Sequence, residues 1–319
     1  MTKRREFVKV GAATIFAVSV SPVLFQACKN AQKNESPEVP ETTDLFFKLS
    51  LAQWSFHKAL FAGEMDNLDF AAKAKELEFE GIEYVNIFFK DKAEDKAYLD
   101  QMNQKAADSE VVQILIMIDG EGNLGAMDLA ERTKAVENHY KWVEAAKYLG
   151  CETIRVNARG EGSAEEVSTA AIDGLSRLSE FAAAENINVI VENHGGYSSD
   201  GKWMSNVLKQ VGMDNCGSLP DFGNFCIKRD EENKCIEEYD RYQGMEDLMP
   251  FAKAVSAKSN EFDEDGNEIH TDFLKIMKIV KDHGYRGFVG VEYEGKDLSE
   301  EEGIIKTREL LLKVGRELS

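Results

Sequence analysis

The sequence predicts an α/β protein: a (β/α)8 TIM barrel forming a single domain after an N-terminal export signal and a short linker. Three observations predict it. A short apolar strand followed by an amphipathic helix recurs eight times from Phe46 to the end of the chain, and strict alternation of this kind gives a parallel sheet. Eight such units over about 270 residues are the number and length that close the sheet on itself. Polar residues gather where the apolar runs stop, at the ends of strands where such barrels keep their chemistry. No G-x-G-x-x-G turn follows the first strand, which makes an open doubly wound sheet the weaker alternative.

Taken in order, the chain starts with Lys3, Arg4 and Arg5 ahead of a mildly apolar stretch that ends at Ala27. A basic head followed by an apolar stretch is the layout of an export signal, and the paired arginines resemble the twin-arginine type. Gly11, Ser19, Ser21 and Pro22 dilute the stretch, against a permanent membrane helix. Leu24-Phe25-Gln26-Ala27-Cys28 resembles a bacterial lipoprotein cleavage site. The expected divisions are therefore a signal over 1–27, a flexible polar linker over 28–45 and the barrel over 46–319. The expected location is the periplasm, with contact to the membrane only through a lipid on Cys28.

Strands are expected at 48–55, 81–89, 111–119, 153–158, 188–192, 217–221, 252–257 and 287–293. Val189-Ile190-Val191 is the clearest, a continuous apolar run of a strand buried on both faces. Helices are expected at 68–79, 92–109, 129–149, 164–185, 203–211, 238–249, 271–283 and 299–317. Their apolar residues recur three and four apart, as in Phe273, Met277 and Val280. Ser163 with Glu166 and Ser299 with Glu302 fit capping boxes, and Gly150 and Gly284 fall just past helix ends.

The 319 residues carry 58 acidic against 38 basic side chains, a formal charge of −20. A surface this acidic repels phosphate backbones, so nucleic acid is excluded as a partner. Of the cysteines after Cys28, Cys226 and Cys235 flank the charged segment 228–234 and either close it as a disulfide or stay free. None has the spacing of a zinc-thiolate site.

In a closed barrel the strand ends share one rim. The first offers Trp54 and His57, the second Asn86 and the fourth Asn157 and Arg159. Glu192, Asn193 and His194 follow the fifth, Asp221 and Asn224 the sixth, Lys258 the seventh, and Glu292 ends the eighth. Glu192, Asp221 and Glu292 decide the reading. Three carboxylates converging on a dry rim repel one another unless a cation or protons intervene. One divalent ion is the simplest remedy, and an oxygen set favours magnesium, manganese or calcium. The competing reading pairs these acids with Arg159 or Lys258, or with helix ends.

Val191-Glu-Asn-His194, Leu219-Pro-Asp-Phe-Gly-Asn224 and Gly290-Val-Glu-Tyr-Glu-Gly295 resemble the xylose-isomerase-like TIM-barrel family of sugar phosphate isomerases and epimerases. Ser50-Leu-Ala-Gln-Trp-Ser-Phe-His57 and Ala254-Val-Ser-Ala-Lys-Ser259 are similar to an exported bacterial branch of it. The resemblance implies one divalent metal (magnesium, manganese or zinc) held by Glu192, Asp221 and Glu292. It also implies isomerisation or epimerisation through a cis-enediolate. Two positions depart from the family pattern: Ser256 and Asn224 stand where members carry histidines. That leaves His194, Ser256 or water to complete the metal shell.

The chemistry fits the residues. A carbon acid beside a ketone needs a positioned base and a cation at the developing oxyanion. Glu192 and Glu292 are the expected acid/base pair, with Lys258 and His194 assisting. His57, Trp54, Asn86, Asn157, Arg159, Asn193 and Asn224 are expected to bind substrate, a neutral free sugar or keto-sugar. Phe56 and Phe89 either face a sugar ring or pack the barrel. Two alternatives stand beside this: a lyase or hydratase acting on 3-keto-glycosides by the same proton abstraction, and a sugar-binding lipoprotein without catalysis.

Overall fold

A computed structural model describes residues 45–319. The expected export signal over 1–27, Cys28 and the linker as far as residue 44 lie outside the described residues.

The first six strands are β1 Lys48–Ala52, β2 Gly81–Val85, β3 Val112–Met117, β4 Thr153–Val156, β5 Asn188–Glu192 and β6 Cys216–Leu219. A hairpin of β7 Cys226–Arg229 and β8 Cys235–Glu238 then leaves the sheet before β9 Val255–Ser259 and β10 Phe288–Tyr293 complete it. The eight sheet strands are all parallel, in the order β6-β5-β4-β3-β2-β1-β10-β9. The ring closes where β6 meets β9. Ser218 pairs with Ala252 and Asp221 with Ser256, and Ser256 N–H donates to Pro220 O at 3.0 Å. Ser218, Pro220 and Phe222 all turn toward this neighbour. Pro220 has no N–H to give, so the ladder is broken there.

Helices α1 His57–Ala62, α2 Phe70–Glu76, α3 Lys96–Asp108, α4 Leu129–Leu149, α5 Ala164–Ala184, α6 Gly201–Val211, α7 Arg241–Leu248, α8 Phe273–Asp282 and α9 Glu300–Glu317 alternate with the strands. Both capping boxes form, at Ser163 and Ser299. Gly150 and Gly284 take the left-handed conformation with φ of 74° at each.

Several boundaries differ from expectation. The first two strands end at Ala52 and Val85, because the chain winds into tight helical turns at Gln53–Phe56 and Asn86–Lys92. The expected strand over 252–257 lies later, at Val255–Ser259, since the turn Met249–Phe251 with Pro250 occupies its start. α1 and the β7–β8 hairpin were not expected as elements. Cys226 and Cys235 are joined, with Cα atoms 5.8 Å apart, which decides the open question in favour of the disulfide.

Side chains alternate between the two faces of each strand. One set packs outward against the helices in the main core, including Ile82, Ile154, Val189 and Val291. The other set fills the barrel with Ala52, Val85, Leu115, Met117, Ile190, Leu219 and Ala254. On the same inner face, two residues along each strand, stand Ser50, Glu83, Arg155, Glu192, Ser256, Lys258 and Glu292. Thus the alternation that builds the core also aims the polar groups inward.

Candidate functional site

Glu192 ends β5, Asp221 lies two residues past β6, and Glu292 is the penultimate residue of β10. Each is buried, and each offers a carboxylate oxygen within 4.8 Å of the other two. The three acids thus converge as expected. Oxygens on opposite sides of one ion stand about 4.2 Å apart for magnesium and about 4.6–5.2 Å for calcium. The trio needs little movement to close on such an ion.

Ser256 Oγ sits between two of them, 2.7 Å from Asp221 Oδ2 and 3.0 Å from Glu292 Oε2. One hydroxyl has one proton to donate, so both carboxylates cannot be satisfied by it while ionised. Burial accordingly pushes Asp221 up to about 7, helped by Glu192 and Glu292 against the opposing pull of Lys258. Burial likewise raises Glu292.

Two cations flank the trio. Lys258 Nζ is 3.7 Å from Glu292 Oε1 and 3.0 Å from Glu294 Oε2. Arg155 Nε lies 2.8 Å from Glu192 Oε2, while its Nη1 reaches Asp119 Oδ1 at 3.1 Å. The Arg155–Glu192 contact is close but out of hydrogen-bond alignment, so Glu192 Oε2 is buried without a hydrogen bond. Four buried carboxylates, Glu83, Glu192, Asp221 and Glu292, face two buried cations, Arg155 and Lys258. Asp119 and Glu294 share the same two cations, so negative charge is in excess around the trio, and every donor in the trio is oxygen. The residues fit a divalent ion.

A family model described as xylose isomerase-like TIM barrel matches residues 71–314. The chain belongs to the xylose isomerase-like TIM barrel family. Solved structures similar to this xylose isomerase-like barrel include a D-psicose 3-epimerase in the presence of D-fructose, at 15% identity and a TM-score of 0.63 over 84% of this chain and 99% of that one. A 3-keto-D-glucoside 4-epimerase from E. coli is similar at 13% identity and a TM-score of 0.64, covering 84% and 99%. A xylose isomerase-like TIM barrel protein from Mycobacterium smegmatis in complex with magnesium gives 15% identity and a TM-score of 0.64, covering 85% and 97%. At these identities the likeness shows the fold. No curated protein matches the chain in sequence.

Around the trio of this xylose isomerase-like barrel, several expected substrate-binding residues have other duties. Asn193 is buried, donating to the carbonyls of Asp221 and Asn224 and accepting from Asp221 N–H at 2.7 Å. It clamps the end of β6. Asn86 does the same for Asp119, bonding its N–H and its carbonyl. Both amides, expected to bind substrate, are engaged with neighbouring backbone. Asn224 donates to Glu192 Oε1 at 3.0 Å and therefore positions a trio member.

His194 is not brought to the trio. Its Nδ1 lies 3.0 Å from Asn157 Oδ1 and 3.1 Å from Arg159 Nη2. Gly195 and Gly196 follow with φ of 86° and 63°, turning the chain aside in a way that side chains resist. Burial, with the charges of Arg155 and Lys258, holds the His194 imidazole down to about 4, so it is neutral at ordinary pH. Among the expected shell-completing groups, Ser256 is the one in place.

Trp54 donates its indole N–H to Glu294 and stacks on His57 with ring centroids 5.0 Å apart. His57 Nδ1 is 2.8 Å from Trp54 O. Phe56 and Phe89 are buried core residues, while Phe88 lies 6.1 Å from the Trp54 ring. The sequence reading also passed over Glu83 and Arg155. Glu83 accepts from Ser50 Oγ at 2.6 Å, and burial pushes it up to about 7. It fits only because residue 290 is glycine: a Cβ there would stand 2.5 Å from Glu83 Oε1.

The shifts give a pH prediction with a definite sign. Asp221 and Glu83 have folded pKa values raised above their ordinary values. The stability they contribute is complete below about 4 and lost as pH rises through about 7. Metal-free protein should therefore melt lower at pH 8 than at pH 5. Adding millimolar magnesium or manganese should raise the Tm at pH 8 by roughly 5–10 °C and change it little at pH 5. Calorimetry at the two pH values checks this, and a Tm indifferent to metal at pH 8 defeats the cation assignment.

Proposed function

We propose that the protein is a metal-dependent isomerase or epimerase of a free sugar or keto-sugar, acting through a cis-enediolate. One observation carries the reading: three buried carboxylates from separate strands meet within 4.8 Å beside a lysine. The similar solved structures, two of them described as epimerases and one as holding magnesium, support it.

Glu192, Asp221 and Glu292 would hold the ion, with Ser256 Oγ beside them. When bound, the ion supplies positive charge at the substrate's carbonyl and hydroxyl oxygens, lowering the cost of the enediolate. Glu292 and Glu192 are the acid/base pair. Burial raises Glu292, the direction that suits a general base working near neutral pH. One of the pair removes the proton next to the carbonyl, and the other returns one to the opposite face or the adjacent carbon. Lys258 lies within reach of Glu292 and Glu294, and its ammonium would steady the charge that develops on an enediolate oxygen. Neutral His194, its one N–H given to Asn157 Oδ1, can accept from a substrate hydroxyl through Nε2. Asn157 and Arg159 hold that ring in place.

The shared first step gives the test. Incubated with ketohexoses and 3-keto-glycosides in heavy water and a divalent ion, the protein should place deuterium on the carbon beside the carbonyl. Chelator should stop the exchange. NMR of the product then separates an epimer or isomer from an eliminated product, which is what the lyase reading expects. Absence of exchange with every divalent ion overturns both and leaves a binding protein.

A further inference from the structure

A cavity of about 850 Å³ lies beside the trio and is not centred on it. It starts where the trio ends. Its inner wall is Ala158, Arg159 and His194, the residues just past β4 and β5. Its outer wall is the β7–β8 hairpin, through Ile227, Lys228 and Arg229, which packs against the turn Gly196–Ser199. The Cys226–Cys235 disulfide ties the first residue of β7 to the first residue of β8. The hairpin stands between β6 and α7 and pairs with no strand of the barrel sheet.

The chemistry of the walls is mixed. Arg159, Lys228 and Arg229 make no ion pair among the described residues, and Glu161 and Glu237 share the lining with them. Backbone at Gly195 and Gly196 and the rings of His194 and Tyr197 add hydrogen-bonding and flat surface. Donors and acceptors interspersed, with neither sign dominating, suit hydroxyl groups, which both donate and accept. A volume of 850 Å³ lies toward the top of the range for small-molecule sites, more than one reacting sugar ring at the trio requires.

We propose that this cavity is a subsite for a second, non-reacting sugar ring, so that the protein's substrates are glycosides and not free monosaccharides. The proposal rests on the sugar-converting reading for the reaction but not for binding. The reacting ring lies at the trio, and its glycosidic partner extends between His194 and the hairpin. The hairpin is then the element that sets specificity.

Titration calorimetry tests the binding, and kinetics the consequence. Glucose disaccharides should bind at least tenfold tighter than glucose in the presence of magnesium. The Lys228→Ala/Arg229→Ala double variant should lose that advantage while binding glucose as wild type does. A Cys226→Ser/Cys235→Ser variant, whose hairpin is unpinned, should lose part of it. In turnover, kcat/KM for a keto-disaccharide should exceed that for the free ketohexose, and the hairpin variants should lower only the former. Equal affinity for one and two rings overturns the subsite even if ketohexoses turn over. So does tighter binding of a uronate or sugar phosphate than of the neutral disaccharide. Disaccharide binding without any turnover keeps the subsite and removes the catalytic reading.

Discussion

Replacing Glu192 or Glu292 with glutamine is expected to lower turnover by about 10²–10⁴-fold, the range for removing a general acid or base. The wild-type protein should carry one divalent ion per chain by elemental analysis, and each variant should lose most of it. Glutamine keeps the shape and removes the charge. Burial leaves Glu292 and Asp221 raised and mutually repelled, so the metal-free Glu292→Gln variant should melt no lower than wild type, and even higher at pH 8. Inactivity with preserved or improved stability is the signature of a site that sacrifices stability for chemistry. Metal-free wild-type protein with full activity is the result that removes the mechanism.

Arg155→Met should act in the opposite sense. Arg155 is buried and faces Glu192 and Asp119 at 2.8 and 3.1 Å. Deleting one side of a buried ion pair leaves the other uncompensated, at a cost of about 3–5 kcal/mol. Metal-free Arg155→Met should therefore unfold at clearly lower denaturant than wild type. Divalent metal should rescue more of the loss than it adds to wild type, because the trio has lost a competing cation. Denaturant melts with and without manganese measure both effects. A change under about 1 kcal/mol in the metal-free protein shows that Arg155 is not what balances the site.

Much of this was legible before any coordinates. Alternating strands and helices gave the barrel, and a carboxylate closing each of three apolar runs gave the trio. What escaped has identifiable physical causes. Arg155 sits mid-strand in Thr153-Ile-Arg-Val156, away from the polar rim at the strand ends. Its inward direction follows from the alternation of that strand, so the signal was present. Glu83 is the same case on β2. Asn86 and Asn193 were read as substrate contacts because polarity at a strand end cannot show that an amide is tied to neighbouring backbone. The hairpin escaped because Cys226–Glu238 is mostly charged and carries no period. Its own ladder, the Asp230 turn, the disulfide and the packing of β7 on the Gly196–Ser199 turn give it shape.

The junction of β6 with β9 gives two of these residues a double part. Asp221 and Ser256 are themselves a matched pair across that junction, the joint that Pro220 leaves short of one rung. The latch of the ring and the seat of its proposed chemistry are thus the same two residues, which also meet through Ser256 Oγ and Asp221 Oδ2. A change at either acts twice, on the reaction and on keeping the ring shut.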